Sequence, residues 1–472
     1  MIIVPVLKPK IGVMAIANGA YFPQFPYLKE NLTKQTDILL TKFSKECEVV
    51  YMGMVDSEAA SVKAAEIFRA QDVDIVFCHC TTYSTSSNML PAIKDLDVPV
   101  ILLNIQHVAA LDTEKATHIE DWLADGFSCG CVPEMVSVLR RAGKRYGVIT
   151  GYLEGDDVVD KEINKWCKAS AVRRKLRNTS LGLIGRPYPG MLDLYIDETK
   201  LFLSLGVYTE MLELGDIIRA SKGISNDRIK AQTEKIMATF EIFEGIDADN
   251  LAELAGYVCG LENLAQEKNI SAFASHYGDA QGEEGKLISV LNPACSMLIG
   301  QGIAWAVEGD MKVALAMSIL RTIGGTGTLA ELYSLDFDND ICIIGHSGSG
   351  DPAISYRKPL MKITKVFHGK SGGGYLTQFY PKFGGVTLLA LTQDETGGYR
   401  MIAAEGINNE GPILQLGDTN CRVAFSIGLR DFVNEWCLTG PTHHFALGSG
   451  LHIDTLKCVS NILNIPLEIV CR

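Results

Sequence analysis

Residues Cys47–Cys80 read CEVVYMGMVDSEAASVKAAEIFRAQDVDIVFCHC. Cys47–Val55 is an apolar run, Ser57–Ala70 spaces its apolar residues as a helix does, and Val73–Cys80 is again almost wholly apolar. A strand in the middle of a parallel sheet meets apolar neighbours on both faces, so it reads as an unbroken run rather than an alternation. An amphipathic helix between two such runs is a βαβ unit. The pattern extends outward. KIGVMAI (Lys10–Ile16) and a helical stretch over Tyr27–Glu46 precede it, and VPVILLNI (Val98–Ile105) and YGVIT (Tyr146–Thr150) follow. Together these predict a doubly wound α/β domain over residues 1–155, with ligand-facing positions just beyond the carboxyl ends of its strands. Those positions are Asn18–Gln24, His79–Tyr83 and Gln106–His107, with His107 the favoured substrate-facing residue.

Residues 156–325 carry a long charged helix, the strand-like SLGLIGR, helices around Asp227–Phe240 and Asn250–Lys268, a strand over Ile270–Tyr277, and a buried helix over Ile288–Val307. This predicts a second α/β domain. Beyond residue 326, short apolar runs punctuated by glycine (ICIIG, PLMKITKVFH, GGYLTQFYP, GGVTLLALTQ, YRMIAAEG, CRVAFSIG) predict a mostly antiparallel, barrel-like β domain, closed by a helix and a strand over His452–Leu463 and Leu467–Cys471.

The 472 residues carry 43 Lys and Arg against 56 Asp and Glu, a net charge of −13. Phosphate neutralisation needs clustered cations, so nucleic acid is not an expected partner. The short cluster Arg173-Arg174-Lys175 with Arg177 reads as a solvated helix face. No apolar run reaches the roughly 18 residues of a membrane span. The start, MIIVPVLKPK, reads as a strand or arm rather than a leader, and the thirteen scattered cysteines fit a reducing compartment; a cytoplasmic protein is expected. In Cys78-His79-Cys80, strand alternation sends the imidazole opposite to both thiols, which favours packing over metal binding.

Five residues attract attention as chemistry. Glu308 opens the run EGDMKVALAMSILR, where Gly309 or Asp310 caps a helix. Glu331 follows GGTGT and precedes the strand-like LYSLDF. His346 leaves the strand ICIIG for a glycine-rich loop, and His443-His444 sit in a polar loop after Gly440. Adjacent side chains on a strand point to opposite faces, so only one of the two histidines is expected as a ligand. Two carboxylates and two imidazoles suit Mn²⁺, Fe²⁺ or Co²⁺ with coordination positions left for substrate oxygens.

EGDMK, a glutamate about two dozen residues later, a strand ending in Gly-His, and a late His-His pair together resemble the L-arabinose and L-fucose isomerase family, the arabinose branch more closely. GLENLAQEKNISAF resembles that family's central helix and strand. The resemblance implies an aldose–ketose isomerase working through an enediolate. Glu308 and Glu331 would be its acid–base pair, and Glu308, Glu331, His346 and His444 would hold a divalent metal, Mn²⁺ first and Co²⁺ or Fe²⁺ after it. It also implies a sugar substrate and a homo-oligomer, trimer or hexamer, with active sites at subunit interfaces. Substrate contacts would come from His443, Tyr21, Gln106, His107 and Cys129. Cys129, in Ser128-Cys129-Gly130-Cys131, stands where the arabinose branch has a histidine, so the resemblance does not carry L-arabinose itself as the substrate. The alternatives are a non-catalytic sugar sensor, against which the paired glutamates argue, and a metal-dependent sugar epimerase.

Overall fold

The computed structural model of the chain describes residues 7–114, 118–243, 245–278, 280–364 and 373–472. Two compact units result, one of Leu7–Arg174 with Asp454–Asn464, the other of Lys175–Ile453 with Ile465–Arg472.

The first unit is the doubly wound domain expected from Cys47–Cys80. Its sheet runs Glu48–Val55, Lys10–Ile16, Ile75–Cys80, Val100–Gln106, Tyr146–Tyr152, every pairing parallel. The helix Glu58–Ala70 is capped by the Ser57 hydroxyl on the Ala60 amide and buries Ala64 and Phe68 against the sheet. Helical spacing over Tyr27–Glu46 becomes the shorter helix Leu28–Leu40. Cys78 and Cys80 pack in the apolar core, while the His79 ring turns away to the Thr36 hydroxyl at 3.0 Å. Burial holds the His79 pKa down, at about 4. His79, Thr81 and Thr82 are therefore core residues, not the loop-facing positions the strand end implied. The arginine cluster needs a correction too. Arg173 and Arg174 grip the fully buried Asp74 at 3.0 and 2.8 Å, because a buried carboxylate must be paired.

The second unit contains two larger sheets. One is parallel, in the order Ala304–Val307, Ile270–His276, Ser180–Gly185, Tyr208–Leu212. The other runs Gly384–Gln393, Phe445–Ser449, Thr328–Asp336, Ile341–His346, Thr419–Ala424, Tyr399–Asn408, Leu467–Cys471. Its pairings are antiparallel except the last, and Gly384–Gln393 also pairs with Tyr399–Asn408, which closes the sheet on itself. A smaller sheet joins Gly374–Gln378, Leu360–Thr364 and Glu241–Ile242; the end of the strand-like PLMKITKVFH lies outside the described residues.

Two element readings change. Ile288–Val307 is not one helix but the end of the helix Gly282–Gly300 followed by the strand Ala304–Val307, with Gly302 at φ 95° making the break. A fully buried strand and a buried helix are both continuously apolar, so hydrophobicity cannot separate them. The helix Leu429–Leu438 interrupts a region that reads as strands. Among the described residues no helix is long and apolar enough to cross a membrane.

Candidate active site

Glu308 follows the strand Ala304–Val307, at the carboxyl end of the parallel sheet, where such sheets bind ligands. Its φ is 63° and that of Gly309 is 74°, so the chain turns sharply through the left-handed region twice. The turn is held by the Tyr188 amide on the Glu308 carbonyl (2.9 Å) and by the Gly309 amide on the Ser275 carbonyl (3.0 Å). A β-carbon on Gly309 would lie 2.5 Å from the Arg186 carbonyl oxygen, which only glycine avoids. Asp310 then caps the helix Met311–Thr322, its Oδ1 accepting from the amides of Lys312 and Val313 at 3.0 and 3.1 Å.

The barrel-like sheet supplies the rest. Glu331 lies inside the strand Thr328–Asp336, not ahead of it; pairing of Thr328, Leu329 and Ala330 with Phe445–Leu447 starts that strand earlier than the glycine-rich run suggests. Glu331 faces Gly345, and Ala330 faces Phe445. This register puts Glu331, His346 and His444 at the same end of adjacent strands. His346 Nε2 is 4.0 Å from Glu331 Oε1. His444 Nε2 is 3.6 Å from Glu308 Oε2, and the His346 and His444 ring centres are 5.0 Å apart. Glu308, Glu331 and His346, joined by the more distant His444, thus share one neighbourhood.

His443 also joins it. One atom each of Glu308, His443 and His444 lie within 4.8 Å of one another, and the two imidazole centres are 3.9 Å apart. The expectation that neighbouring histidines diverge fails because both residues precede the strand Phe445–Ser449, so pleat alternation does not govern them.

His444 is 1% exposed. Its Nδ1 donates to Asp310 Oδ2 (3.2 Å), so in the neutral ring Nε2 is bare, and it is aimed at Glu308. That buried Nε2 has no hydrogen-bond partner among the described residues. A buried nitrogen lone pair between carboxylates is costly unless something electropositive occupies it. The donor set, carboxylate oxygen and neutral imidazole, fits a divalent cation. The carboxylate on the far imidazole nitrogen is the usual support of a metal-binding histidine. On the His444 pKa, burial is the largest single influence and pulls it down. The Asp310 bond and the charges of Asp310, Glu308 and Glu331 outweigh it, so the ring titrates above its ordinary value.

A cavity of about 680 Å³ opens on this cluster, lined among others by Tyr188, His276, Tyr277, Glu308, Glu331, Tyr333, His346, Asp418 and His443. That is ample for a small polyol. Burial, then the charges of Asp418 and Glu331, pushes the Tyr333 phenol far above its ordinary pKa, so it stays a neutral hydrogen-bond donor. Sequence reasoning passed over Tyr333, His276, Asp193 and Asp418, and took Asp310 for a helix cap alone. The position of Tyr333 two residues after Glu331 and that of His276 at the end of the strand Ile270–His276 were the available signals; nothing local pointed to Asp193 or Asp418.

The remaining expected substrate contacts belong to the first unit. Tyr21 packs on the cluster of Leu28 and Leu32, Gln106 Nε2 donates to the Val108 carbonyl (2.6 Å), and His107 Nδ1 bonds Asp125 at 2.7 Å. Cys129 is exposed and Cys131 buried.

A family model of the L-arabinose isomerase central domain matches residues 197–326, a span that contains Glu308, Asp310 and Lys312. An L-arabinose isomerase of Yersinia enterocolitica is 21% identical over 345 residues, covering 70% of this chain and 68% of its own. One from Klebsiella pneumoniae is 20% identical over 410 residues, covering 84% and 80%. A third, from Yersinia pseudotuberculosis, is 20% identical over 404 residues, covering 82% and 79%. Among solved structures, a branched-chain amino acid ABC transporter from Thermus thermophilus with bound valine matches at 10% identity, covering 69% of this chain and 66% of that one, at a TM-score of 0.15, too low to bear on the fold.

Proposed function

We propose that this chain, which is related to the L-arabinose isomerases, is an aldose–ketose isomerase that works with a divalent cation, Mn²⁺ before Co²⁺ or Fe²⁺. The observation that carries the reading is the meeting of Glu308, Glu331 and His346 at one cavity, with His444 packed against them and its buried Nε2 turned toward Glu308. Glu308, Glu331, His346 and His444 would hold the cation. When bound, it supplies positive charge that polarises the neighbouring carbonyl and hydroxyl oxygens of the sugar.

The chain's own residues do the rest. Turning an aldose into a ketose moves one proton from C2 to C1 and relocates a hydroxyl proton between O2 and O1. A carboxylate within reach of both carbons takes the first proton and returns it one atom along, through an enediolate. The second glutamate serves the oxygens. Neutral Tyr333 donates a hydrogen bond to the sugar from the cavity wall. Asp310 holds the His444 ring by Nδ1, so that Nε2 points inward.

A panel of neutral aldoses with added Mn²⁺, assayed for ketose formation in D₂O, tests the reading. Ketose carrying deuterium at C1 supports it. Binding without any chemical change across the panel would favour a sugar sensor, and inversion at one carbon without a ketose would favour an epimerase.

A further inference from the structure

The Asp193 carboxylate, in the short turn Leu192–Leu194, makes two contacts with one residue 250 positions away. Its Oδ2 accepts from the His443 backbone amide at 3.0 Å and from His443 Nδ1 at 2.6 Å. A carboxylate only accepts, so Nδ1 carries the proton and, in the neutral ring, Nε2 is bare. His443 lines the cavity beside Glu308. The turn that carries Asp193 is itself tied down. Lys312, 2% exposed, sends its ammonium to the carbonyl oxygens of Asp193 (2.7 Å) and Tyr195 (3.3 Å). A buried ammonium is costly unless its hydrogens are taken up, and here two backbone carbonyls take them. Lys312 stands in the first turn of the helix that Asp310 caps. The five residues 308–312 therefore place both imidazoles, His444 directly through Asp310 and His443 indirectly through Lys312 and Asp193.

We propose that Asp193 and Lys312 are positioning residues: Asp193 holds His443 in the Nδ1–H tautomer, with Nε2 accepting a hydrogen bond from a substrate hydroxyl, and Lys312 pins the turn that carries Asp193. The kinetic consequence rests on the isomerase reading; the tautomer does not.

Two measurements test it. In metal-free protein with ¹⁵N-labelled histidine rings, at a pH where the ring is neutral and with the signal assigned through His443→Gln, His443 is Nδ1–H in the wild type. It becomes a tautomer mixture in Asp193→Ala and in Lys312→Met. A wild-type ring protonated on Nε2, or variants with an unchanged tautomer, would overturn the proposal. On an aldose that the wild type turns over, Asp193→Ala lowers kcat/KM by about 10- to 100-fold, the usual range for a group that orients a site residue, while the Mn²⁺ affinity by calorimetry stays within about threefold. Because Lys312 acts through Asp193, the double variant is no slower than Asp193→Ala alone. Losses that multiply would break the link between the two residues. If no aldose is turned over at all, the isomerase reading fails, and the tautomer measurement still decides this one.

Discussion

Asp310 and His444, 134 positions apart, are joined by a hydrogen bond of 3.2 Å between two side chains that are 0% and 1% exposed. Asp310 has two jobs at once: Oδ1 caps the helix Met311–Thr322 and Oδ2 orients the imidazole. Asp310→Asn retains a cap, since asparagine ranks beside aspartate at that position, but loses the charge that supports the ring. Mn²⁺ affinity by calorimetry should fall about 10- to 100-fold. The melting temperature of the metal-free protein should move less than in Asp310→Ala, which also loses about 1 kcal/mol of capping.

Glu308→Gln and Glu331→Gln each remove a carboxylate while keeping its shape. Loss of a general acid or base costs about 10²- to 10⁴-fold, so ketose formation should drop by at least about a hundredfold with an unchanged circular dichroism spectrum. A near-wild-type rate in either variant on the true substrate would remove that residue from the acid–base pair.

Prolonged dialysis against a chelator should abolish turnover, and Mn²⁺ or Co²⁺ should restore it. A cation that binds only the folded protein, at about a hundred times its Kd, adds about 2.7 kcal/mol of stability, so the melting temperature should rise with added Mn²⁺. Full activity after thorough metal removal would end the metal-dependent reading.

The raised pKa of His444 works in opposite directions on stability and on metal binding. A protonated imidazole favoured by the fold contributes stability that is full below the unfolded value of about 6.5 and is lost as pH rises through the higher folded value. The metal-free protein should therefore lose this contribution as pH rises above about 6.5 and through the higher folded value. Over the same window Mn²⁺ affinity should grow, because the cation needs the neutral ring. Asp310→Asn should flatten both trends; thermal melts and calorimetry across that window read them.

Gly309→Ala places a methyl group 2.5 Å from the Arg186 carbonyl oxygen at a φ of 74°. The left-handed conformation alone costs about 1–2 kcal/mol for a residue with a β-carbon, and the contact adds to it. A lower melting temperature together with weakened Mn²⁺ binding is expected, since Glu308 is the preceding residue in the same turn. A fully stable variant with unchanged Mn²⁺ affinity would show that the turn tolerates the methyl group.

Much of the scaffold was legible because local physics writes itself into local sequence. Parallel strands such as Ile75–Cys80 and Val100–Gln106 must be apolar on both faces, and the helix Glu58–Ala70 must show one apolar stripe, so both leave periodic marks. The mark fails where two buried elements share one composition, as at Ile288–Val307, and where charge meets burial. Arg173 and Arg174 looked solvated only because Asp74, about a hundred positions earlier, could not be seen beside them.

Composition and order singled out Glu308, Glu331, His346 and His444 as residue types suited to a cation and a proton, and the capping role of Asp310 was readable from its neighbours. What only the tertiary structure decided is which atoms face each other: His444 Nε2 toward Glu308, its Nδ1 on Asp310, and His443 on Asp193. Those contacts depend on the register of Thr328–Asp336 against the distant strand Phe445–Ser449 and on two left-handed residues in a turn. A hydrogen bond across 134 or 250 positions leaves no periodic trace in either partner's own neighbourhood.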